Sequence, residues 1–154
     1  MIKQVLSDSQ AATWANYQHM RVRLAGQINR ELAHKTGLSE ADFEILSALS
    51  ESSDESVRAI ALRCGLEWEK SRLSHQLRRM EARGLITREE CVEDNRGSVV
   101  RITDVGRKLS AEAQLHYEQA VRRYFIDVLT PEQIETLGTI AETVLKQLEK
   151  PHHS

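Results

Sequence analysis

The stretch Trp68-Glu69-Lys70-Ser71-Arg72-Leu73-Ser74-His75-Gln76-Leu77-Arg78-Arg79-Met80-Glu81-Ala82-Arg83-Gly84-Leu85-Ile86 decides the fold. Leu73, Leu77 and Met80 recur at i, i+4 and i+7, the signature of one buried side of a helix running from Glu67 to Arg83, with Gly84 placed to end it. Upstream, Ser56 is read as the cap of a short helix carrying Val57, Ile60, Ala61 and Cys64, and Gly65 as the tight turn between the two helices. Downstream, Leu85 to Val92 and Ser98 to Thr103 hold β-branched residues on either side of Glu93-Asp94-Asn95-Arg96-Gly97, a hairpin pattern with a polar tip. Short helix, glycine turn, second helix and two-stranded ribbon together make a winged helix-turn-helix. The fold expected is therefore mainly α with a small β-hairpin wing.

If Leu73, Leu77 and Met80 face inward, the opposite side of the helix follows from about 100° per residue. Ser71, His75, Arg78 and Ala82 lie near its centre, with Trp68, Ser74, Arg79 and Arg72 towards the edges. Such a mixture suits the floor of a DNA major groove: arginine donates twice to guanine, serine and histidine donate or accept, and alanine leaves room for close approach. A face that only confers solubility would be richer in Glu and Lys.

Charge supports a local reading. Lys70 to Arg88 holds six Lys or Arg (70, 72, 78, 79, 83 and 88) against one acid, Glu81, a net +5 in a chain of net −2, so the remainder carries −7. A basic stripe in an acidic protein points to a polyanion docking at one place, although a charge run can also be a solvated helix face. At the wing tip, Arg96 is placed to reach a flanking minor groove, whose negative potential favours a guanidinium. Asp94 has the sign of phosphate and is read as wing support, bracing the turn or pairing with Arg88 or Arg96. Asp, Asn and Gly are also ordinary turn residues, which by itself accounts for the tip.

The flanks are helical. Trp14, Tyr17, Leu24, Ile28 and Leu32 share a stripe over Ser9 to Lys35, and Gly37 is placed to end that helix. Ser39 is then an N-cap, with Asp42 at N3, Leu38 opposite Phe43 as a staple, and Phe43, Leu46 and Leu49 as the core side. Thr103 or Asp104 can cap a fifth helix with Val105, Leu109, Ala113, His116, Ala120 and Tyr124 on its stripe. Thr130-Pro131-Glu132-Gln133 starts a sixth, whose apolar face runs from Ile134 to Leu148. The ends carry more apolar stripe than a compact centre can cover, and a symmetric helical dimer would bury the excess; folding back on the same chain is the alternative. The division expected is residues 1–36 as an N-terminal dimerisation helix, 37–104 as the winged helix-turn-helix, and 105–154 as C-terminal dimerisation helices.

Composition excludes several classes. Cys64 and Cys91 form neither a CxxC nor a His-paired cluster, so a disulfide framework or zinc site is not expected, and of six histidines only His152-His153 are adjacent. Cys64 is expected to be buried, and Cys91, beside Glu90 and Glu93, to be a poor thiolate. The N-terminus lacks an apolar signal region and no apolar run has the length of a membrane span, so a soluble cytoplasmic protein without membrane association is expected. No Gly-rich phosphate loop, nucleophile elbow, HExxH or paired-carboxylate arrangement suggests an enzyme, and no cofactor is expected.

These parts resemble the MarR family of bacterial transcription regulators over nearly the whole chain. The resemblance rests on Leu38-Ser39-Glu40-Ala41-Asp42-Phe43, Arg72-Leu73-Ser74, Arg79-Met80-Glu81-Ala82-Arg83-Gly84-Leu85, Asp94, Arg96, Thr103 and Gly106. It implies a homodimer on a pseudo-palindromic double-stranded operator, a repressor of its own or neighbouring genes released by a small, aromatic ligand or by oxidation. It also implies that Trp68 to Arg83 is the recognition helix and that Arg96 enters the minor groove. The DNA-binding set expected is Ser71, Arg72, Ser74, His75, Arg78, Arg79, Arg88 and Arg96. Family members that sense peroxide resemble one another in an N-terminal cysteine, and this chain has none before Cys64. Trp14, Tyr17, Trp68 and His116 are candidates for an effector pocket, although aromatics at helical spacing usually serve a core. The alternative function is a winged-helix protein-interaction module without direct DNA binding, which should carry apolar anchors where this helix carries arginine and small polar residues.

Overall fold

The computed structural model describes residues 3–90 and 97–150. The expectations for Cys91, Asp94, Arg96 and His152-His153 lie outside the described residues. The elements are α1 (Asp8–Thr36), α2 (Glu40–Glu51), β1 (Ser56–Arg58), α3 (Ala59–Leu66), α4 (Lys70–Ala82), β2 (Ile86–Glu90), β3 (Ser98–Ile102), α5 (Asp104–Tyr124), a 3-10 turn (Ile126–Val128) and α6 (Pro131–Glu149). Contacts divide the chain into two units, Ala25–Tyr117 and Met1–Leu24 with Glu118–Ser154.

The first unit is a mainly helical winged helix-turn-helix, as its sequence pattern requires. Its core gathers Leu38, Phe43, Ile45, Leu46 and Leu49 around Leu73, Leu77 and Met80, with Ile86, Val100 and Ile102 from the sheet. α2 begins as expected: the Ser39 hydroxyl accepts from the Asp42 N–H at 3.1 Å and the Asp42 carboxylate accepts from the Ser39 N–H at 2.9 Å. Gly37 and Gly84, at φ +74° and +76°, follow α1 and α4 in the left-handed region that a β-carbon disfavours.

Three local expectations are corrected. Ser56 does not cap a helix but opens β1, which pairs antiparallel with β3 through Ser56–Arg101, Val57–Val100 and Arg58–Val99, so the wing is a three-stranded sheet in the order β1-β3-β2. A three-residue strand is too short for alternation to reveal. Gly65 is not the turn residue: it lies inside α3, and Glu67 takes the left-handed conformation at φ 58°. The inward side of α3 is therefore set by Leu62, which is buried, with Ala59 and Leu66 packed against the core, whereas Ile60, Ala61 and Cys64 are exposed. The expected burial of Cys64 fails for the same reason.

The junction of wing and α5 is built on Thr103. Its hydroxyl donates to the Gly84 carbonyl at 2.6 Å, lies 3.0 Å from the Leu85 carbonyl, and accepts the Gly106 N–H at 3.0 Å. A β-carbon at Gly106 would stand 2.2 Å from the Leu85 oxygen, so the close approach of α5 to the start of the wing demands glycine here. Val105, placed on the inward stripe by spacing, is 62% exposed, because its neighbour Gly106 is the residue of the first turn that faces the wing; Ala113 further along is fully buried.

In the second unit, α6 starts on the expected capping box, with Gln133 N–H donating to Thr130 Oγ1 at 3.1 Å and Thr130 N–H to Gln133 Oε1 at 2.9 Å. No residue of α6 is buried. Ile140, Val144, Leu145 and Leu148 are each more than half exposed, and Trp14 and Tyr17 stand exposed on α1 with ring centroids 5.6 Å apart.

Candidate nucleic-acid interface

α4 has the two faces that its sequence implies. Leu73, Leu77 and Met80 are buried, while Ser71, Arg72, His75, Arg78, Arg79 and Ala82 are exposed and Ser74 is intermediate; the helix begins at Lys70 and not at the expected Glu67, so Trp68 precedes it, half-buried. Among the described residues, none pairs with Ser71, His75 or Arg78. Glu69 occupies the N-cap without a side-chain capping bond and the first turn has no acid, which leaves backbone N–H groups at this end open to an anion.

A polar clamp holds the inward face, and sequence reasoning missed its centre. Gln76, 5% exposed, donates through Nε2 to Oδ1 of Asp42, itself 4% exposed on α2. Arg83 Nη1 donates to Asp42 Oδ2 at 2.7 Å and Nη2 to the Gly37 carbonyl at 3.2 Å, while Arg79 Nη2 donates to Gln76 Oε1 at 2.9 Å. Burial pushes the Asp42 carboxyl up, but the Ser39 N–H, the Arg83 guanidinium and the Ser39 hydroxyl outweigh it and hold the group below its ordinary value. The signal was present in the sequence: Gln76 sits at i+3 between Leu73 and Leu77, an inward position occupied by an amide.

The basic residues thus divide by task. Arg83 braces α4 against α2. Arg72 lies over the Trp68 ring at 3.9 Å, and Arg88 Nη2 is 3.4 Å from Glu81 Oε1, so both are oriented by neighbours. Arg78 projects from the centre of the outward face with none of these attachments.

Near α4, residues of α1, α2, α3 and α5 line a cleft of about 400 Å3. Its apolar wall is Phe43, Ala48, Leu66 and Tyr117, with the Phe43 and Tyr117 rings 4.9 Å apart. Glu40, Glu44 and Glu51 supply carboxylates, and Asn29, Ser47 and Gln114 complete the lining; no Lys, Arg or His belongs to it. Burial raises the Glu44 carboxyl above its ordinary range and repulsion from Glu40 adds to this, with Arg72 opposing. Trp14, Tyr17, Trp68 and His116 do not line this cleft. Trp68 packs partly buried against the core, and His116 has a buried Nδ1 without a hydrogen-bond partner among the described residues. Among the described residues no cluster of His, Cys, Asp or Glu could hold a metal ion, and no helix is long and apolar enough to cross a membrane.

The sequence profile of the MarR family matches residues 36–97. AbsC, a MarR family transcriptional regulator from Streptomyces coelicolor, is 33% identical, with 95% of this chain and 98% of that one covered and a TM-score of 0.86. Sco3205 from the same organism, a MarR family regulator whose crystal structure is in complex with DNA, is 30% identical over 94% of each chain, also at a TM-score of 0.86. The HTH-type transcriptional regulator YdgJ of Bacillus subtilis is 24% identical over 106 residues, which span 69% of this chain and 63% of that protein.

Proposed function

The chain belongs to the MarR family of DNA-binding transcription regulators, and on that premise we propose that it acts as a homodimeric repressor of its own or neighbouring genes, released from a pseudo-palindromic operator by a small ligand. The observation that carries the DNA-binding part is the division of α4 into an inward side clamped by Asp42 and an outward side of Ser71, His75 and Arg78. A helix held in this way can present the same side chains to the major groove each time, which base readout requires. Ser74 and Arg79 border that face, Arg72 and Arg88 serve the flanking phosphates, and Arg96 is assigned the minor groove on its sequence position, with Asp94 supporting the wing. The winged helix of residues 37–104 is assigned to DNA, and residues 1–36 and 105–154 to dimerisation.

Dimer formation is supported by the apolar face of α6, where Ile140, Val144, Leu145 and Leu148 are uncovered in the single chain. A monomer gains nothing by exposing such a row, and a two-fold copy buries it. The test is to select bound duplexes from a random pool and titrate the best one by fluorescence anisotropy at several salt concentrations. Half-sites about 10 base pairs apart, and affinity falling steeply with salt, are expected. Binding that does not change with salt contradicts the proposal.

A further inference from the structure

The geometry points to the cleft between Phe43, Tyr117 and the carboxylates of Glu40, Glu44 and Glu51 as a site for a small organic cation with a flat apolar body, such as an arylalkylamine. This inference rests on the proposed release by a small ligand and names its chemical class. Three observations carry it. The cleft, at about 400 Å3, falls in the range of small-molecule sites, and the Phe43 and Tyr117 rings give a flat ligand an apolar wall. Its only charged lining groups are three carboxylates. Ser47, on the same wall, has a buried hydroxyl oxygen with no hydrogen-bond partner among the described residues, the kind of group that is ordinarily satisfied.

The charges around the cleft favour a cation over an anion. Glu40 already accepts from Asn29 Nδ2 at 3.0 Å, which fixes one carboxylate at the rim. Glu44 is partly buried beside Glu40; burial first, and repulsion from Glu40 second, penalise its charged form, and an ammonium or amidinium group placed in the cleft would offset both. Arg72 offsets part of that repulsion, but it is outside the lining and lies over Trp68. A carboxylate ligand would meet three like charges here, and a neutral aromatic would leave the carboxylates as they are.

Phenethylamine and 3-phenylpropanoate carry the same phenyl group on similar chains with opposite end charges, and both are titrated calorimetrically into the full chain without DNA. Phenethylamine is expected to bind and 3-phenylpropanoate not to. Glu44→Gln should weaken the amine about tenfold, the scale of one charge-assisted hydrogen bond, and combining it with Glu40→Gln and Glu51→Gln should weaken it further. Melting curves of the variants report whether they fold, and the amine-versus-acid comparison on the wild type stands without them. No amine binding, tighter binding of the acid, or equal amine binding by the wild type and the folded triple variant each overturns the inference. Release is read separately on an operator duplex. An amine that binds the cleft and leaves the duplex bound overturns the release reading while the cation site stands, and loss of the site alone leaves the DNA-binding reading intact.

Discussion

The side-chain amide of Gln76, on α4, donates to the carboxylate of Asp42, on α2, and both residues are at least nine-tenths buried. Leu73, Leu77 and Met80 hold α4 to the core by contacts that have little directional preference, so they tolerate small rotations about the helix axis. A buried hydrogen bond does not, because misalignment leaves two polar groups unsatisfied. The angle at which Ser71, His75 and Arg78 leave the domain is therefore set from behind.

Asp42→Ala removes the acceptor for Gln76 and Arg83 and the N3 half of the capping box. A loss of about 2 kcal/mol or more in urea unfolding is expected, the sum of a broken cap and a stranded buried amide. Full stability in the variant would show that the clamp is incidental.

The same carboxylate gives a pH signature. Its folded value lies below the ordinary 3.8, so its contribution is complete above that pH and is lost as pH falls through the lower folded value. The wild type should lose stability below about pH 4 more steeply than Asp42→Asn does, as read from unfolding midpoints across an acid series. Parallel acid limbs would contradict the sign.

Gly106→Ala places a β-carbon 2.2 Å from the Leu85 carbonyl, a backbone atom that cannot swing away. A cost of about 1–3 kcal/mol is expected, because α5 must shift from the wing or lose the Thr103 bonds. Thermal denaturation checks it, with Gly138→Ala as the control, since a β-carbon there meets nothing within 4 Å.

Arg78→Ala should weaken operator binding by about 1–3 kcal/mol and relax the preference at one base position if Arg78 reads a base. Uniform weakening on every duplex would assign it to phosphate instead. Equal binding of wild type and variant would remove it from the interface.

Leu145→Glu combined with Leu148→Glu puts two charges on the exposed face of α6, where both leucines are more than half uncovered in one chain. Light scattering should show a shift from dimer towards monomer, with operator affinity falling in parallel. A variant that remains dimeric at low micromolar concentration would move the interface elsewhere.

Much of the architecture was legible because its causes are local. Ser39 with Asp42, and Thr130 with Gln133, form capping boxes from residues three apart, and both are present. Leu73, Leu77 and Met80 announced the buried side of α4 by spacing alone. The errors fall where the deciding partner is distant. β1 exists because Val57 pairs with Val100, and nothing within Ser56–Arg58 distinguishes a strand from the start of a helix. Cys64 looked inward only while α3 was begun at Ser56; starting it at Ala59 turns Leu62 to the core and Cys64 to water.

The candidate interface divides in the same way. Sequence periodicity was sufficient to place Ser71, His75 and Arg78 on the outward side of a helix, since an amphipathic helix is defined by its own residues. That Gln76 bonds to Asp42, that Arg83 braces α4 instead of facing a polyanion, and that Glu40, Glu44 and Glu51 share a cleft with Tyr117 were decided by tertiary structure. Caps, turns and apolar stripes draw their free energy from neighbours within about one or two turns, which the sequence displays directly. The buried polar bonds draw theirs from groups 34 to 41 residues apart, as with Gln76 and Arg83 on Asp42, and, like the cleft, they exist only once hydrophobic packing has brought distant groups together.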